Sequence, residues 1–248
     1  MRTPGPEDLQ AAIRVRVSPE SWWYLQESID AVEADSTAIR TLFPAVGRKV
    51  GRARLDPDDD PRDLHAWSID DGARTLLLVA LGERVGEELN DLYRYGDTAE
   101  RRGLLRALPF LPVGDSAAPL VKDAIRTNDT RLIAAAFGPY AFEHLDDATF
   151  AQAILKCVFL EIPVFPLEGV DERVTPELSR MLADYVHERV AAGRDAPAEV
   201  WKFIDRYPPT EELDAIISEL AHPVDERRRA AERALANSRV LRSRDANL

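Results

Sequence analysis

The sequence predicts an all-α protein built from stacked helix pairs, and two observations support this prediction. Apolar residues recur with the 3.6-residue period of a helix in almost every segment long enough to judge, and strand-like alternation is nearly absent. One stretch, at 162–167, is β-prone, but Pro163 and Pro166 would interrupt a strand ladder there. The clearest helical stripes are formed by Leu178, Met181, Leu182, Tyr185, Val186 and Val190, by Leu213, Ile216, Ile217 and Leu220, and by Phe150, Ala153, Ile154, Cys157 and Val158.

The predicted helix starts are marked by capping residues. Ser18 and Thr175 each place a hydroxyl directly before a proline, whose fixed φ suits the first helical turn. Asp97 has Glu100 three residues later, which is the reciprocal arrangement of a capping box. These signals place helix starts after residues 18, 97 and 175.

A faint internal repeat in the middle of the chain predicts how the helices are arranged. Asp97 opens one helix and, about thirty residues later, Asp129 opens another, and each is followed by a second helix. Helix pairs at this spacing are typical of a HEAT-like α-solenoid, because each pair buries its apolar face on the next. A compact irregular helical bundle is the alternative. We expect one all-α domain over residues 1–222 and a basic, helix-prone C-terminal tail over 223–248.

Composition and charge limit the classes of protein that fit. The 248 residues include 44 acidic and 32 basic side chains, a net charge of −12 that does not suit general nucleic-acid binding. Cys157 is the one cysteine, so an intramolecular disulfide is impossible, and its place on an apolar stripe predicts a buried, unreactive thiol. The longest apolar run is far below the ~20 residues that span a bilayer. With no secretory pattern at the start, we expect a cytoplasmic chain without a transmembrane segment.

The segment 36–55 carries five basic residues and no acidic one. Gly47 and Gly51 would let the backbone approach a bound phosphate or carboxylate closely. The segment is therefore a candidate anion site, although it does not have the residue order of a P-loop. A solvated basic face that pairs with the acids at 56–60 is the simpler alternative. The residues assigned to this site are Arg40, Arg48 and Arg52.

A second candidate site follows the joint at 128–131. Asp129 most simply caps the next helix, but the joints of a solenoid lie at one edge, where ligand-binding groups gather. Arg131 and Lys156 would then be counter-charges to an oxygen-rich ligand, with Tyr140 and His144 beside them.

One tryptophan is a further candidate. Trp67 precedes Asp70 and Asp71, and one of these acids is expected to cap the helix that follows. Trp67 would form one wall of a pocket, or else it would be a core tryptophan with a satisfied indole.

No metal site, cofactor or catalytic motif is predicted. His187 and Glu188 begin a zinc pattern that fails at Ala191, and the acids at 56–60 lack the glycine and the glutamate of a calcium loop. A Gly-x-Ser-x-Gly elbow, a Cys-x-x-Cys pair and a dinucleotide fingerprint are all absent from the sequence. These absences lower the odds of an enzyme.

Five stretches, read together, resemble the EboA family. The likeness covers roughly residues 18 to 220. The resemblance implies a chain encoded in a bacterial ebo operon, which is associated with secondary metabolites and encodes proteins similar to a prenyltransferase, a metal-dependent hydrolase, a sugar isomerase and a cyclase-like dehydratase. It implies no catalytic residue. The stretches are RTLFPAVGR at 40–48, LYRYGDTAERR at 92–102, RTNDTRLIAAA at 126–136, AQAILKCVF at 151–159 and MLADYVHER at 181–189.

These observations give a preferred function and two alternatives. We expect a non-catalytic accessory protein of the pathway that binds a polar or anionic metabolite, or docks enzymes of the same operon, with the membrane prenyltransferase-like protein among its partners. One alternative is an enzyme acting on a phosphorylated or carboxylated small molecule, in which the basic segment clamps the anion and Asp129, His144 or His187 moves protons. The other is a purely structural adaptor.

Overall fold

The computed structural model describes residues 3–164, 167 and 169–241, and throughout these ranges the regular structure is helical. Extended pairing within them is limited to one isolated antiparallel bridge between Arg54 and Ser68. The all-α prediction is therefore confirmed, whereas the solenoid arrangement stays a prediction. The chain forms two compact units, residues 1–146 and residues 147–248. Pro166 and the part of the predicted tail beyond residue 241 lie outside the described residues.

The first unit has a central helix, which is surrounded by neighbours from both directions of the chain. The helices of this unit are α1 (Pro6–Arg16), α2 (Pro19–Ala34), α3 (Ile39–Lys49), α4 (Ile69–Ala80), α5 (Val85–Tyr95), α6 (Thr98–Ala107), α7 (Ala118–Arg126), α8 (Thr130–Ala136) and α9 (Pro139–His144). Helix α4 packs against α1, α2, α3 and α6. Its residues from Ile69 to Leu78 are all buried, which is the pattern of a helix enclosed on every side.

The predicted caps are present and explain where the helices begin. The Ser18 hydroxyl accepts a hydrogen bond from the backbone N–H of Ser21 at 3.2 Å, and Thr175 caps its helix in the same way. Asp97 and Glu100 form the predicted reciprocal box, with N–H to carboxylate distances of 2.8 and 3.2 Å. Each bond satisfies an amide that the helix itself leaves without a partner.

The second unit is organised around one long helix. Its helices are α10 (Asp147–Phe159), α11 (Pro176–Ala191), α12 (Val200–Ile204), α13 (Thr210–Ser218) and α14 (Asp225–Asn237), with one more helical turn at 239–241. Helix α11 packs against the other four. Helix α14 buries a face of alanines, and Arg227 near its start donates to the buried Glu219 at 2.7 Å. Residues 225–237 of the predicted tail are thus a packed helix.

Candidate functional site

Five charged side chains from α4 and α6 meet inside the first unit, and we call them the ionic cluster. Helix α4 supplies Asp70, Asp71 and Arg74, and α6 supplies Arg102 and Arg106. The three side chains from α4 are at most 1% exposed. Since a buried charge is costly unless it is paired and hydrogen-bonded, the partners of each group decide what the cluster can do.

The Asp71 carboxylate is fully engaged. It accepts bonds from Arg102 Nε at 2.9 and 3.1 Å and from Arg106 Nη1 at 3.0 Å. Arg106 also donates to the carbonyl oxygens of Ala66 and Leu64, at 2.7 and 2.9 Å. Burial lowers the pKa of the Arg106 guanidinium, and the charge of Asp71 opposes that shift. Asp71, Arg102 and Arg106 therefore satisfy one another and have a structural role in the ionic cluster.

The first turn of α4 joins that network to the preceding loop. Asp71 accepts from the Ser68 N–H at 3.3 Å, so its predicted role as a capping acid is confirmed. The Ser68 hydroxyl donates to Asp70 at 2.6 Å and accepts from Arg102 at 3.0 Å. Trp67 lies at the edge of the cluster, with the Arg106 guanidinium 5.3 Å from the centre of its ring.

Arg74 is paired on one side only. Its Nη1 donates to the Asp70 carboxylate at 2.6 Å, and its guanidinium lies 5.5 Å from the centre of the Phe43 ring. Its Nε and Nη2 are buried without a hydrogen-bond partner among the described residues. Arg74 was not among the predicted site residues, although its spacing of four residues from Asp70 indicates that the two side chains meet on one helix face.

The three arginines of the predicted anion site have different surroundings. Arg40 makes a two-pronged ion pair with Glu88, both distances being 2.8 Å, and the Glu88 side chain is only 3% exposed. Arg48 is exposed at the end of α3. Arg52 lies over Gly47, where its guanidinium approaches that of Arg74. Arg40 thus has a buried carboxylate partner, and it is Arg52 that lies close to the unfilled side of Arg74.

The predicted site near 128–131 has a capping role. Asp129 accepts from the backbone N–H of Arg131 at 3.0 Å and from its guanidinium at 3.1 and 3.2 Å. The side-chain bond from Arg131 is the largest cause of a lowered pKa for the Asp129 carboxyl. The simpler interpretation of Asp129, a cap of the helix that follows, is confirmed.

Tyr140 and His144 lie together on α9. Their rings are 4.2 Å apart, and His144 Nδ1 is 2.7 Å from the Asp115 carboxylate. The Tyr140 hydroxyl donates to the Gly114 carbonyl and accepts from the Ala117 N–H at 3.2 Å. Burial is the largest cause of a raised pKa for Tyr140, and its hydroxyl joins α9 to the turn at Gly114 and Ala117.

Lys156 lies in the second unit, where it lines a groove between α10 and α11. We call this cavity of about 530 Å³ the α10–α11 groove. Phe159, which is 70% exposed, forms one wall. The remaining lining residues are Gln152, Leu155, Met181, Asp184, Tyr185 and Glu188. Of these lining residues, only Lys156 was among the predicted site residues. The others were missed because a tertiary cavity has no signature in the spacing of a single helix.

The comparisons with known proteins agree with the resemblance found in the sequence. The family model of the metabolite traffic protein EboA matches residues 6–205. The chain belongs to the EboA family. Neither the search of curated proteins nor the search of solved structures gave a match.

Among the described residues of this EboA-family chain, each helix is too short or too polar to cross a membrane. In the same part of the chain, no three His, Cys, Asp or Glu side chains are grouped so that they could hold a metal ion.

Proposed function

We propose that this EboA-family chain is a non-catalytic accessory protein that binds a small metabolite in the α10–α11 groove while enzymes of the same pathway carry out the chemistry. The observation that carries the proposal is the groove itself. Its volume of about 530 Å³ lies within the roughly 300–1,000 Å³ that small-molecule sites occupy.

The lining of the groove indicates what kind of metabolite it suits. Leu155, Phe159, Met181 and Tyr185 provide apolar walls, and the flexible thioether of a methionine adapts to irregular ligand shapes. Polar groups are placed among them, with the ammonium of Lys156 on α10 and two carboxylates on α11. A metabolite with an apolar body and a few oxygen or nitrogen groups matches this mixture, because few polar contacts suffice to orient a ligand.

The contacts of the histidines favour binding over acid–base catalysis. The enzyme alternative requires a histidine to meet Arg40, Arg48 or Arg52 at one anion. In the described structure His144 pairs with Asp115 at 2.7 Å, while His187 lies in the second unit with Nε2 3.6 Å from Glu219. Arg40 is occupied by Glu88. Among the described residues, none of these contacts joins a histidine to an arginine of the basic segment.

Native mass spectrometry tests the proposal on the full chain purified from cells that carry its whole operon, with denaturing analysis alongside. We expect a small-molecule adduct that is lost on denaturation and lost in the Phe159→Ser variant. Tyr95→Ser is the matched control, since Tyr95 is 75% exposed and lies in the first unit, outside the groove.

The outcomes separate the proposed role from its alternatives. An adduct retained by Tyr95→Ser and lost by Phe159→Ser supports metabolite binding in the groove. A clean apo mass together with a co-purified pathway protein, released by Phe159→Ser, would replace the metabolite with a docked enzyme as the occupant. If wild type carries neither, or if Phe159→Ser keeps everything that wild type binds, the proposed use of the groove is wrong.

A further inference from the structure

The unfilled side of Arg74 is one continuous hydrogen-bonding edge. Nε and Nη2 are the two nitrogens of a guanidinium that point the same way, and they form the edge that grips a carboxylate or phosphate with two parallel bonds. Both are buried and unpartnered among the described residues, and the whole residue is 0% exposed. A buried cationic donor without an acceptor costs free energy, so this edge favours binding of an acceptor that the described residues do not supply.

Two glycines make room for Arg74. A Cβ at Gly103 would stand 2.9 Å from Arg74 Cδ, and a Cβ at Gly47 would stand 3.0 Å from Arg74 Nη2. Both distances are shorter than ordinary van der Waals contact, so a larger residue at either position would displace the arginine. The stem of the side chain therefore rests on α6 and its head rests on α3, where Phe43 covers the guanidinium.

A second guanidinium reaches the same place. The position of a Cβ at Gly47 lies 3.0 Å from Arg52 Nε and 3.5 Å from Arg52 Nη2. Arg52 Nε and Arg74 Nη2 are thus separated by no more than twice 3.0 Å. Like charges this close repel each other unless an anion lies between them. In the part of the chain that the structure describes, Arg52 makes no hydrogen bond or ion pair of its own.

The acids nearby are committed to other partners. Asp70 accepts from Arg74 Nη1, on the side away from the Nε–Nη2 edge. Asp71 accepts hydrogen bonds from Arg102 and Arg106. The buried carboxylate of Glu88 forms an ion pair with Arg40. The excess positive charge at Gly47 is therefore left for a ligand.

We propose that Arg52 and Arg74 bind a small oxyanion group, a phosphate or a carboxylate, beside Gly47. The Nε–Nη2 edge of Arg74 holds two oxygens from below. Arg52 closes over the anion from the solvent side, because its side chain is exposed and reaches the same point beside Gly47. This site lies in the first unit and does not rest on the role proposed for the α10–α11 groove.

Guanidinium NMR of the full-length protein tests the site, with inorganic phosphate and acetate as separate probes at constant ionic strength. The Nε–H signals are assigned by their loss in Arg52→Ala and in Arg74→Lys. We expect both signals to shift together and to saturate with at least one probe, and the probe that acts identifies the oxyanion as phosphate, carboxylate or either. If neither probe produces a saturable shift, the unfilled edge holds only water and the proposal is overturned.

Two variants measure the specificity of the site by phosphate and acetate titration, followed on the remaining guanidinium signal. Arg52→Ala should weaken the affinity for the anion about ten-fold or more, because a charge-assisted hydrogen bond contributes about that much to binding. Arg48→Ala, the matched control, removes the same charge from an exposed position next to Gly47 and should change the affinity by less than about three-fold. Equal losses in both variants would mean that the basic segment attracts anions only through its general field, which contradicts a built site. Gly47→Ala keeps every charge and should also weaken binding, since its methyl would crowd both guanidiniums.

Discussion

Replacing Asp71 by asparagine should destabilise the first unit strongly. The Asp71 side chain is 1% exposed and accepts bonds from Arg102 and Arg106, the second of which is itself buried. Asparagine removes the negative charge and replaces one acceptor oxygen by an amide that is also a donor. Two guanidiniums would then face a neutral group that can satisfy only one of them.

The size of the effect follows from what is left behind. Removing one partner of a buried ion pair costs about 3–5 kcal/mol, because the other charge stays buried and unpaired. For Asp71→Asn this corresponds to an opening of α4 and α6 that is roughly a hundred-fold to a few thousand-fold more frequent, at ten-fold for each ~1.4 kcal/mol. Asp58→Asn makes the same chemical change on an exposed loop residue and should stay within ~0.5 kcal/mol of wild type.

Hydrogen exchange followed by mass spectrometry measures the change where it occurs. Peptides from α4 and α6 should lose protection by the factor given above in Asp71→Asn, and should be unchanged in Asp58→Asn. If Asp71→Asn exchanges like wild type, the carboxylate does not hold the two arginines in solution and the account of the ionic cluster is wrong.

Three further predictions concern single positions. Cys157 should resist a thiol reagent at pH 8 until the protein is denatured, since burial raises the pKa of its thiol to about 12; fast labelling of the native protein would contradict its burial. Gly103→Ala should lower the free energy of unfolding by about 1–3 kcal/mol, because the new methyl would contact Arg74. Gly86→Ala has open space around it and should raise the free energy of unfolding by about 0.5–1 kcal/mol. Urea unfolding that shows the same sign for both variants would refute this. Arg131→Ala should raise the pKa of the Asp129 carboxyl toward 3.8, as followed by carbon NMR. Because the folded pKa is lowered, the pair stabilises the protein above pH 3.8 and loses that contribution as the pH falls through the lowered pKa. An unchanged titration would mean that the bond from Arg131 is not formed.

The local features of the chain could be predicted from sequence because they depend on residues that are close along it. The capping box of Asp97 and Glu100 needs partners three residues apart, and the apolar stripe of Cys157 repeats within two turns. The role of Asp129 was recoverable for the same reason. Membership of the EboA family, too, was readable from short stretches of the chain and is confirmed by the family model.

Partners that are distant along the chain could not be predicted in this way. Arg40 was assigned to a candidate anion site, with a solvated basic face as the alternative, and its carboxylate partner Glu88 is 48 residues away. Arg74 was not among the predicted site residues, and only the packing of α3 and α6 against α4 shows that half of its guanidinium has no acceptor among the described residues. Lys156 was chosen to accompany Arg131, and the cavity that it lines, between α10 and α11, could not be read from the sequence.

The sequence by itself determined that this protein is helical, that helices start after residues 18, 97 and 175, and which faces several helices bury, because the helical period and the capping bonds act within a few residues. The tertiary structure decided which charges are neutralised and which are left for a ligand. Ion pairing falls off steeply with distance and depends on burial, so it is settled only when helices far apart in the chain come together. The edge of Arg74 at Gly47 exists only in the folded unit.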